Sequence, residues 1–160
     1  MAPRKIPGIS RQEATMKTRI AVIIALGGLL LSLMAGCAST ASFQKVDVDQ
    51  SKALIYVFRP ESAFARGEMF KLEVNGTMKG MLLNNGYLPV PVDPGEVTVA
   101  VFKNSLITKP LLADLTLTAK AGDVYYIKVK PGIAWTVTMF KLDSEQGAEE
   151  IKSTVLYQTK

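Results

Sequence analysis

Few side chains in this sequence could do chemistry. Cysteine occurs once, as Cys37, and histidine is absent. The lack of histidine removes the commonest general base and the commonest transition-metal ligand. A single cysteine can form neither an intramolecular disulfide nor a thiolate cluster for zinc or iron. We therefore expect no cofactor and no metal.

Carboxylates are the remaining route to an enzyme. A glycoside hydrolase needs two Asp or Glu side chains about 5–10 Å apart. After residue 36 the chain has 13 acidic residues, but most lie at predicted turns, outward strand positions or a predicted helix, where solvent keeps them ionised. No glycine-rich phosphate loop precedes a helix, and a Ser–Lys nucleophile pair stays open. We predict a non-enzymatic protein, with a weak carboxylate or Ser–Lys hydrolase as an alternative.

The net charge of +5 is concentrated before Cys37. Residues 1–36 hold five of the 19 basic residues and one of the 14 acidic residues, which leaves a nearly neutral body. Nucleic-acid binding needs a basic surface that neutralises phosphates. We expect no nucleic-acid partner.

An uncharged apolar run, residues 20–34, precedes Cys37. Spanning a bilayer takes about 20 residues, so the run is short for a permanent anchor. Lys17 and Arg19 come before it and small residues follow it, which is typical of a secretory signal peptide. Residues 1–15 do not fit such a peptide, so we hypothesise that translation begins at Met16.

Met34-Ala35-Gly36-Cys37 resembles the lipobox of bacterial lipoproteins. The resemblance implies that a diacylglyceryl group is attached to the Cys37 thiol and that the chain is cut between Gly36 and Cys37. Two or more acyl chains give stable membrane anchoring. Ala38 is not the aspartate that retains such proteins at the inner membrane, so we expect an outer-membrane anchor on the periplasmic face.

Three segments are predicted from this pattern: a lipoprotein signal peptide (residues 1–36), a polar tether (37–50) and a folded domain (51–160). The tether is small and polar without a sustained period. As a flexible coil it would span about 20 Å.

After residue 50 the hydrophobic period becomes two, with regular turn signals. Asn75-Gly76 suits a two-residue type I′ hairpin, because both positions take positive φ. Pro89 and Pro91 suit an edge strand, where a missing N–H does no harm. The predicted strands are residues 52–60, 69–74, 77–82, 87–92, 96–102, 111–119, 124–130 and 134–142.

The faces of these strands predict their positions. Residues 52–60 are continuously apolar, which favours burial on both faces, whereas in residues 69–74 Lys71 and Glu73 alternate outward. The pattern predicts an all-β fold, an antiparallel β-sandwich of about 7–8 strands. Asp143, with Gln146 three residues on, predicts a short C-terminal helix over about residues 144–153, docked through Ile151 and Val155.

The turn motifs resemble those of small envelope β-sandwich domains of the PEGA type. They are Asn75-Gly76 with Lys79-Gly80, residues 84–90 and residues 92–99. With "LIYVFRP" in front, the chain looks like an uncharacterised bacterial lipoprotein family built around such a domain, over about residues 52–143. The resemblance implies a fold and carries no catalytic residues.

Two features could recognise a partner. The loop Arg59–Glu68, with Phe64 and Arg66, could bind an anionic glycan or a protein, although a solvated loop whose charges pair with one another or with water is favoured. Trp135, the only tryptophan, is predicted in a strand and is favoured as a core residue. An exposed platform for a sugar or a partner is the alternative.

Together these features predict a membrane-anchored envelope lipoprotein that acts as a non-enzymatic binding or protein-interaction module. Its expected partners are the membrane, through Cys37, and an envelope protein. The alternative is a glycan-binding or small-ligand-binding protein that uses the Arg59–Glu68 loop.

Overall fold

The computed structural model describes residues 41–157 of the chain. The predicted signal peptide, its cleavage site and Cys37 lie outside these residues. Within them, ten strands and one α-helix are formed, with these bounds: β1 (Ala41–Ser42), β2 (Ala53–Arg59), β3 (Phe70–Val74), β4 (Thr77–Leu82), β5 (Gly86–Val92), β6 (Gly95–Lys103), β7 (Leu111–Ala119), β8 (Val124–Pro131), β9 (Val137–Leu142), α1 (Ser144–Glu150) and β10 (Val155–Leu156).

The strands form two sheets, of order β1-β10-β5-β2-β8-β9 and β4-β3-β6-β7. The predicted all-β sandwich with a short C-terminal helix is therefore confirmed. Two pairings, β2 with β8 and β10 with β5, are parallel, whereas the others are antiparallel. These parallel partners lie far apart in the chain, so no hairpin turn sets their direction.

The main core lies between the two sheets. The inward side chains of β2 are Ala53, Ile55 and Val57, and they meet Phe70, Leu72 and Val74 of β3 together with the valines of β6. All seven residues of β2 are buried, which confirms the prediction of a strand covered on both faces. β10 pairs only with Gly86 and Tyr87 of β5. The rest of this side of β5, which includes Pro89 and Pro91, has no strand beside it among the described residues, so the predicted edge is present.

A second core covers the other face of the six-stranded sheet, which we call the outer face. Tyr56 stacks on Tyr126 with ring centroids 5.5 Å apart. Phe43 meets Tyr56 and Tyr87 edge-on at 5.4 and 5.2 Å. Such aromatic pairs add stability beyond the area that they bury.

The chain before β2 supplies part of this cover. The Gln44 N–H donates to the hydroxyl of Tyr87 (3.0 Å) and the Val46 N–H to that of Tyr56 (2.7 Å). The prediction of a flexible tether is therefore wrong for residues 41–48. The prediction followed the mainly polar composition of this segment, but its two apolar side chains Phe43 and Val48 pack against the aromatic outer face.

The helix α1 closes the same face. The Asp143 carboxylate accepts from the Gln146 N–H at 2.8 Å, so the predicted N-cap is confirmed. The α-helix ends at Glu150, and a 3₁₀ turn carries the fully buried Ile151. The Nζ of Lys128 lies 2.6 Å from Oε2 of Glu150. This contact holds the pKa of the Glu150 carboxyl below its usual value.

The predicted outward position of Glu73 is confirmed, since Leu72 and Val74 on either side of it face the main core. Glu73 is nevertheless only 8% exposed, because Lys109 of the loop between β6 and β7 reaches over the sheet to within 2.5 Å of its carboxylate. Lys109 also lies 4.4 Å from the ring centroid of Phe102. A distant loop therefore buries a charge that alternation alone would leave in water.

Gly147→Ala tests how closely α1 is packed. A β-carbon at position 147 would overlap the Cβ and ring of Tyr126. Alanine favours an exposed helix by about 1 kcal/mol over glycine, but overpacking costs about 1–3 kcal/mol. We expect a lower free energy of unfolding in urea denaturation followed by far-UV circular dichroism.

The control is Gly67→Ala, since an added β-carbon at position 67 meets no atom within 4 Å. It should leave the stability unchanged. A Gly147→Ala variant as stable as the parent protein would show that α1 does not pack closely on Tyr126.

Candidate functional site: a pocket between two loops

One end of the sandwich collects its longer connections. Arg59 pairs with Gly86, and Phe70 pairs with both Leu82 and Lys103, so β2 ends where β3 and β5 begin. We call this the loop end, formed by residues 60–69, 83–85, 104–110 and 132–136. The tight turns at residues 75–76, 93–94 and 120–123 lie at the opposite end.

A concave pocket of about 190 Å³ opens at the loop end. Its wall is mainly apolar, and its polar side chains include Glu68 and Lys103. The principal apolar lining residues are Phe64, Phe70, Leu112, Ile133, Trp135 and Val137.

Trp135 lies on the rim of this pocket and is 57% exposed. The favoured prediction of a core tryptophan in a strand was wrong. Residues Ile133–Trp135 form a 3₁₀ turn, and β9 begins only at Val137. The Nζ of Lys103 lies 4.3 Å from the Trp135 ring centroid, a cation–π geometry.

Backbone strain is concentrated at the same place. Ala65, Ala134 and Trp135 have φ of 52°, 54° and 63°, and all three line the pocket. The other non-glycine residues with positive φ among those described are Asn75 and Asn85, a residue type that tolerates this region in turns. Such strain costs about 1–3 kcal/mol per residue and persists where the surrounding structure enforces it, often at binding sites.

Arg59 enforces the conformation of the first loop. Its side chain is fully buried at the end of β2. Its Nη1 donates to the Glu68 carbonyl at 2.7 Å, and its Nη2 donates to the carbonyls of Ala65 at 2.5 Å and Phe64 at 3.4 Å. The guanidinium also stacks 4.5 Å above the ring of Phe70. Burial lowers the pKa of Arg59, and the charge of Glu68 opposes this.

The structure separates the other predicted loop residues. Phe64 is half-exposed and lines the pocket with Trp135. Arg66 instead pairs with Glu61 at 2.9 Å beside a neighbouring groove, so these loop charges neutralise each other as the favoured interpretation expected. Phe64 and Trp135 thus line the same pocket, whereas Arg59 lies beneath the loop and Arg66 lies outside the pocket.

Sequence reasoning missed Ile133 and Lys103 as pocket residues. The predicted strand at residues 134–142 left no room for a pocket-lining turn, whereas β9 begins only at Val137. The available signal was an isoleucine and a tryptophan two positions apart directly after Pro131-Gly132, because two large apolar side chains beside a turn are unusual in water.

A comparison with protein families matches residues 49–140 to the family described as "Protein of unknown function (DUF2846)". The chain belongs to this family. The prediction of an uncharacterised domain is thus confirmed. The DUF2846 match includes both loops that form the pocket and excludes the outer-face cover from residues 41–48 and α1. None of the curated proteins compared with the chain matches it.

The chemistry available in this DUF2846 pocket is recognition by apolar contact with a few polar groups at the rim. Asp49 and Glu150, whose carboxyl pKa values are both lowered by hydrogen bonds, lie outside it. Over residues 41–157 no helix is long and apolar enough to cross a bilayer.

Arg59→Met should loosen the pocket, because the carbonyls of Phe64, Ala65 and Glu68 lose their donors. Hydrogen bonds to charged groups contribute about 1.5–3 kcal/mol each, so we expect unfolding to become easier by at least about 2 kcal/mol. Arg59→Lys should rescue this only in part, since one ammonium cannot reproduce the planar fork. Urea denaturation measures both changes.

Arg66→Met is the matched control in the same loop. Its exposed pair with Glu61 is of a kind that contributes about 0–1 kcal/mol. Equal losses in the Arg59 and Arg66 variants would contradict the assignment of Arg59 as the residue that holds the loop.

Proposed function

We propose that this DUF2846 protein is a membrane-anchored envelope lipoprotein whose sandwich is a non-enzymatic interaction module. The observation that supports the module most strongly is the apolar pocket at the loop end, with its strained lining residues and exposed aromatic rim. Large exposed apolar side chains around a concave surface are characteristic of interaction sites.

The occupant that fits is one bulky apolar side chain of an envelope protein. Small-molecule sites commonly measure about 300–1,000 Å³, whereas this pocket has about 190 Å³. That volume favours a single protruding side chain over a whole small molecule. Trp135 and Phe64 would flank this side chain, and the amine of Lys103 or the carboxylate of Glu68 would contact the partner's polar backbone.

A glycan is supported less well. Sugar recognition needs polar groups that converge on hydroxyls, and the Nη1 and Nη2 donors of Arg59 are directed at loop carbonyls. Within this pocket a hydrolase on two carboxylates would need a second acid beside Glu68, whereas the remaining lining residues are apolar, basic or hydroxyl-bearing. Glu61 lines the neighbouring groove with Glu68, but it is paired with Arg66 at 2.9 Å.

The anchor rests on the sequence before residue 41. Met34-Ala35-Gly36-Cys37 resembles a lipobox, follows an uncharged apolar run and contains the only cysteine of the chain. The likeness of the turn motifs to envelope domains of the PEGA type is in keeping with this location. Ala38 favours the outer membrane, with the sandwich on the periplasmic face.

Metabolic labelling tests the anchor. A clickable palmitate analogue should label the parent protein, and Cys37→Ser should lose both the label and the recovery in the membrane fraction. Because the chain has no second cysteine, no other thiol could carry the lipid. An unlabelled parent protein with unchanged fractionation would contradict the anchor.

The pocket is tested with small capped amino acids as probes. N-acetyl-leucinamide and N-acetyl-phenylalaninamide should shift the indole N–H resonance of Trp135 saturably, with dissociation constants of about 1 mM, as expected for fragments of this size. The indole signal is unambiguous because there is one tryptophan. Ile133→Asp should abolish the shift, since a charge would enter the apolar wall.

Met78→Asp is the control, because Met78 is similarly exposed but lies beside the turn at the opposite end. It should leave binding intact. A shift produced by N-acetylglucosamine oligomers and not by the apolar probes would instead support the glycan alternative.

A further inference from the structure

The loops of the loop end carry most of the large apolar side chains that are exposed in the described part of the chain. Six of the ten lie there: Phe64, Met69, Leu106, Ile107, Ile133 and Trp135. Leu106 and Ile107, which we call the tip, have relative exposures of 103% and 94%. Two adjacent branched side chains that extend fully into water indicate an interaction surface.

The tip belongs to a short loop that polar contacts hold in one conformation. At the base of this loop the Lys103 N–H donates to the Pro110 carbonyl at 3.0 Å, and the Nζ of Lys71 donates to the Ser105 carbonyl at 3.2 Å. Within the loop, the Ser105 hydroxyl oxygen accepts from the Ile107 N–H at 3.4 Å. A loop that is ordered before binding loses less conformational entropy when a partner takes it up.

The tip does not cover the pocket of its own chain. Leu106 and Ile107 are not among the lining residues of the pocket, although Lys103 and Leu112, on either side of their loop, contribute to it. The tip and the pocket therefore lie beside each other at the loop end, and both are open to solvent.

The pocket has a suitable size for the tip. An apolar cavity of about 150 Å³ accommodates one benzene molecule, and this pocket has about 190 Å³. A leucine or isoleucine side chain has fewer carbons than benzene, so the pocket can receive one of them. The apolar wall, with Phe64, Ile133 and Val137, matches the chemistry of such a side chain.

The charges around the tip and the pocket are also complementary. The loop of residues 103–110 contains two lysines and no acidic residue, whereas Glu68 is the acidic residue of the pocket lining. Lys109 is paired with Glu73. Among the described residues, neither the Lys103 amine nor the Glu68 carboxylate forms a salt bridge. Lys103 can therefore pair with a carboxylate of another molecule, and Glu68 with an amine.

We propose that the partner is a second copy of this chain, and that each copy inserts its Leu106–Ile107 tip into the pocket of the other about a two-fold axis. This inference rests on the proposed function, because it names the partner of the same pocket. A tip and a pocket at the same end form a closed dimer, since each copy gives and receives the same contact. At opposite ends they would instead generate an open chain of copies. Lys103 of each copy would then approach Glu68 of the other.

Site-specific photocrosslinking in intact bacterial cells tests this dimer. Two differently tagged copies of the full chain are expressed together, and Thr108 of the first copy is replaced by p-benzoylphenylalanine, which leaves the tip unchanged. We expect a covalent adduct that carries both tags, with the crosslink mapped by mass spectrometry to residues 64–68 or 131–137 of the second copy. The matched control places the probe at Thr77, an exposed threonine at the opposite end, and should give several-fold less of this adduct.

Variants of the second copy show which surface each copy uses. Ile133→Asp in the second copy should reduce the adduct several-fold, because a charge enters the wall that receives the tip. Leu106→Asp in the second copy should leave the adduct detectable, since the pocket of that copy still receives the tip of the first. Both side chains are exposed, so neither change disturbs the core.

The binding of capped amino acids separates the two ways of failing. Adducts that never carry both tags, or equal yields from positions 108 and 77, would overturn the second copy as the partner. If N-acetyl-leucinamide still shifts the Trp135 indole resonance, the pocket keeps its proposed function and the dimer alone is rejected. Failure of both experiments would overturn the function of the pocket together with the dimer.

Discussion

The burial of β2 on both faces is the constraint on which the rest of the structure depends. A strand whose seven residues are all buried needs cover on both sides of its sheet. The four-stranded sheet supplies one cover. The outer face, with Tyr56, Tyr87 and Tyr126, obtains the other from residues 43–48 and from α1. These segments precede and follow the central strands in sequence, so the cover of the outer face is completed from both ends of the described chain.

The end of β2 links this core to the proposed site. Arg59 is the last residue of the strand, and its guanidinium is directed at three carbonyls of the next loop. A buried cation needs such partners, because burial without them is costly. The hydrogen bonds in turn hold Ala65 at positive φ. Strand burial, loop conformation and pocket shape are thus coupled through one side chain.

Local patterns were sufficient to predict most of the sandwich. Alternation identified the strands, Asn75-Gly76 identified a hairpin, and Asp143 identified the start of the helix, since each depends on neighbouring residues alone. The parallel pairing of β2 with β8 could not be predicted in this way. The partners are more than sixty positions apart, and no short-range signal sets their direction.

The predictions for Phe43 and Trp135 were wrong for the same reason, because each position depends on distant parts of the chain. Phe43 looks like a lone apolar residue in a polar segment until the aromatic face that it covers is known. Trp135 follows a turn signal, but the turn continues through two residues with positive φ before β9 begins. For the site, Phe64 and Trp135 were named from the sequence, whereas their meeting in one pocket depends on sheet order.

The docking of residues 43–48 on the outer face completes the cover of β2, and amide hydrogen exchange measures this docking directly. The N–H groups of Gln44 and Val46 should exchange much more slowly than in an unstructured chain, because each donates a hydrogen bond to a tyrosine hydroxyl. Tyr56→Phe should accelerate exchange at Val46 more than at Gln44. Exchange at both positions at the rate of an unstructured peptide would contradict this account, since the outer face of β2 would then lack part of its cover.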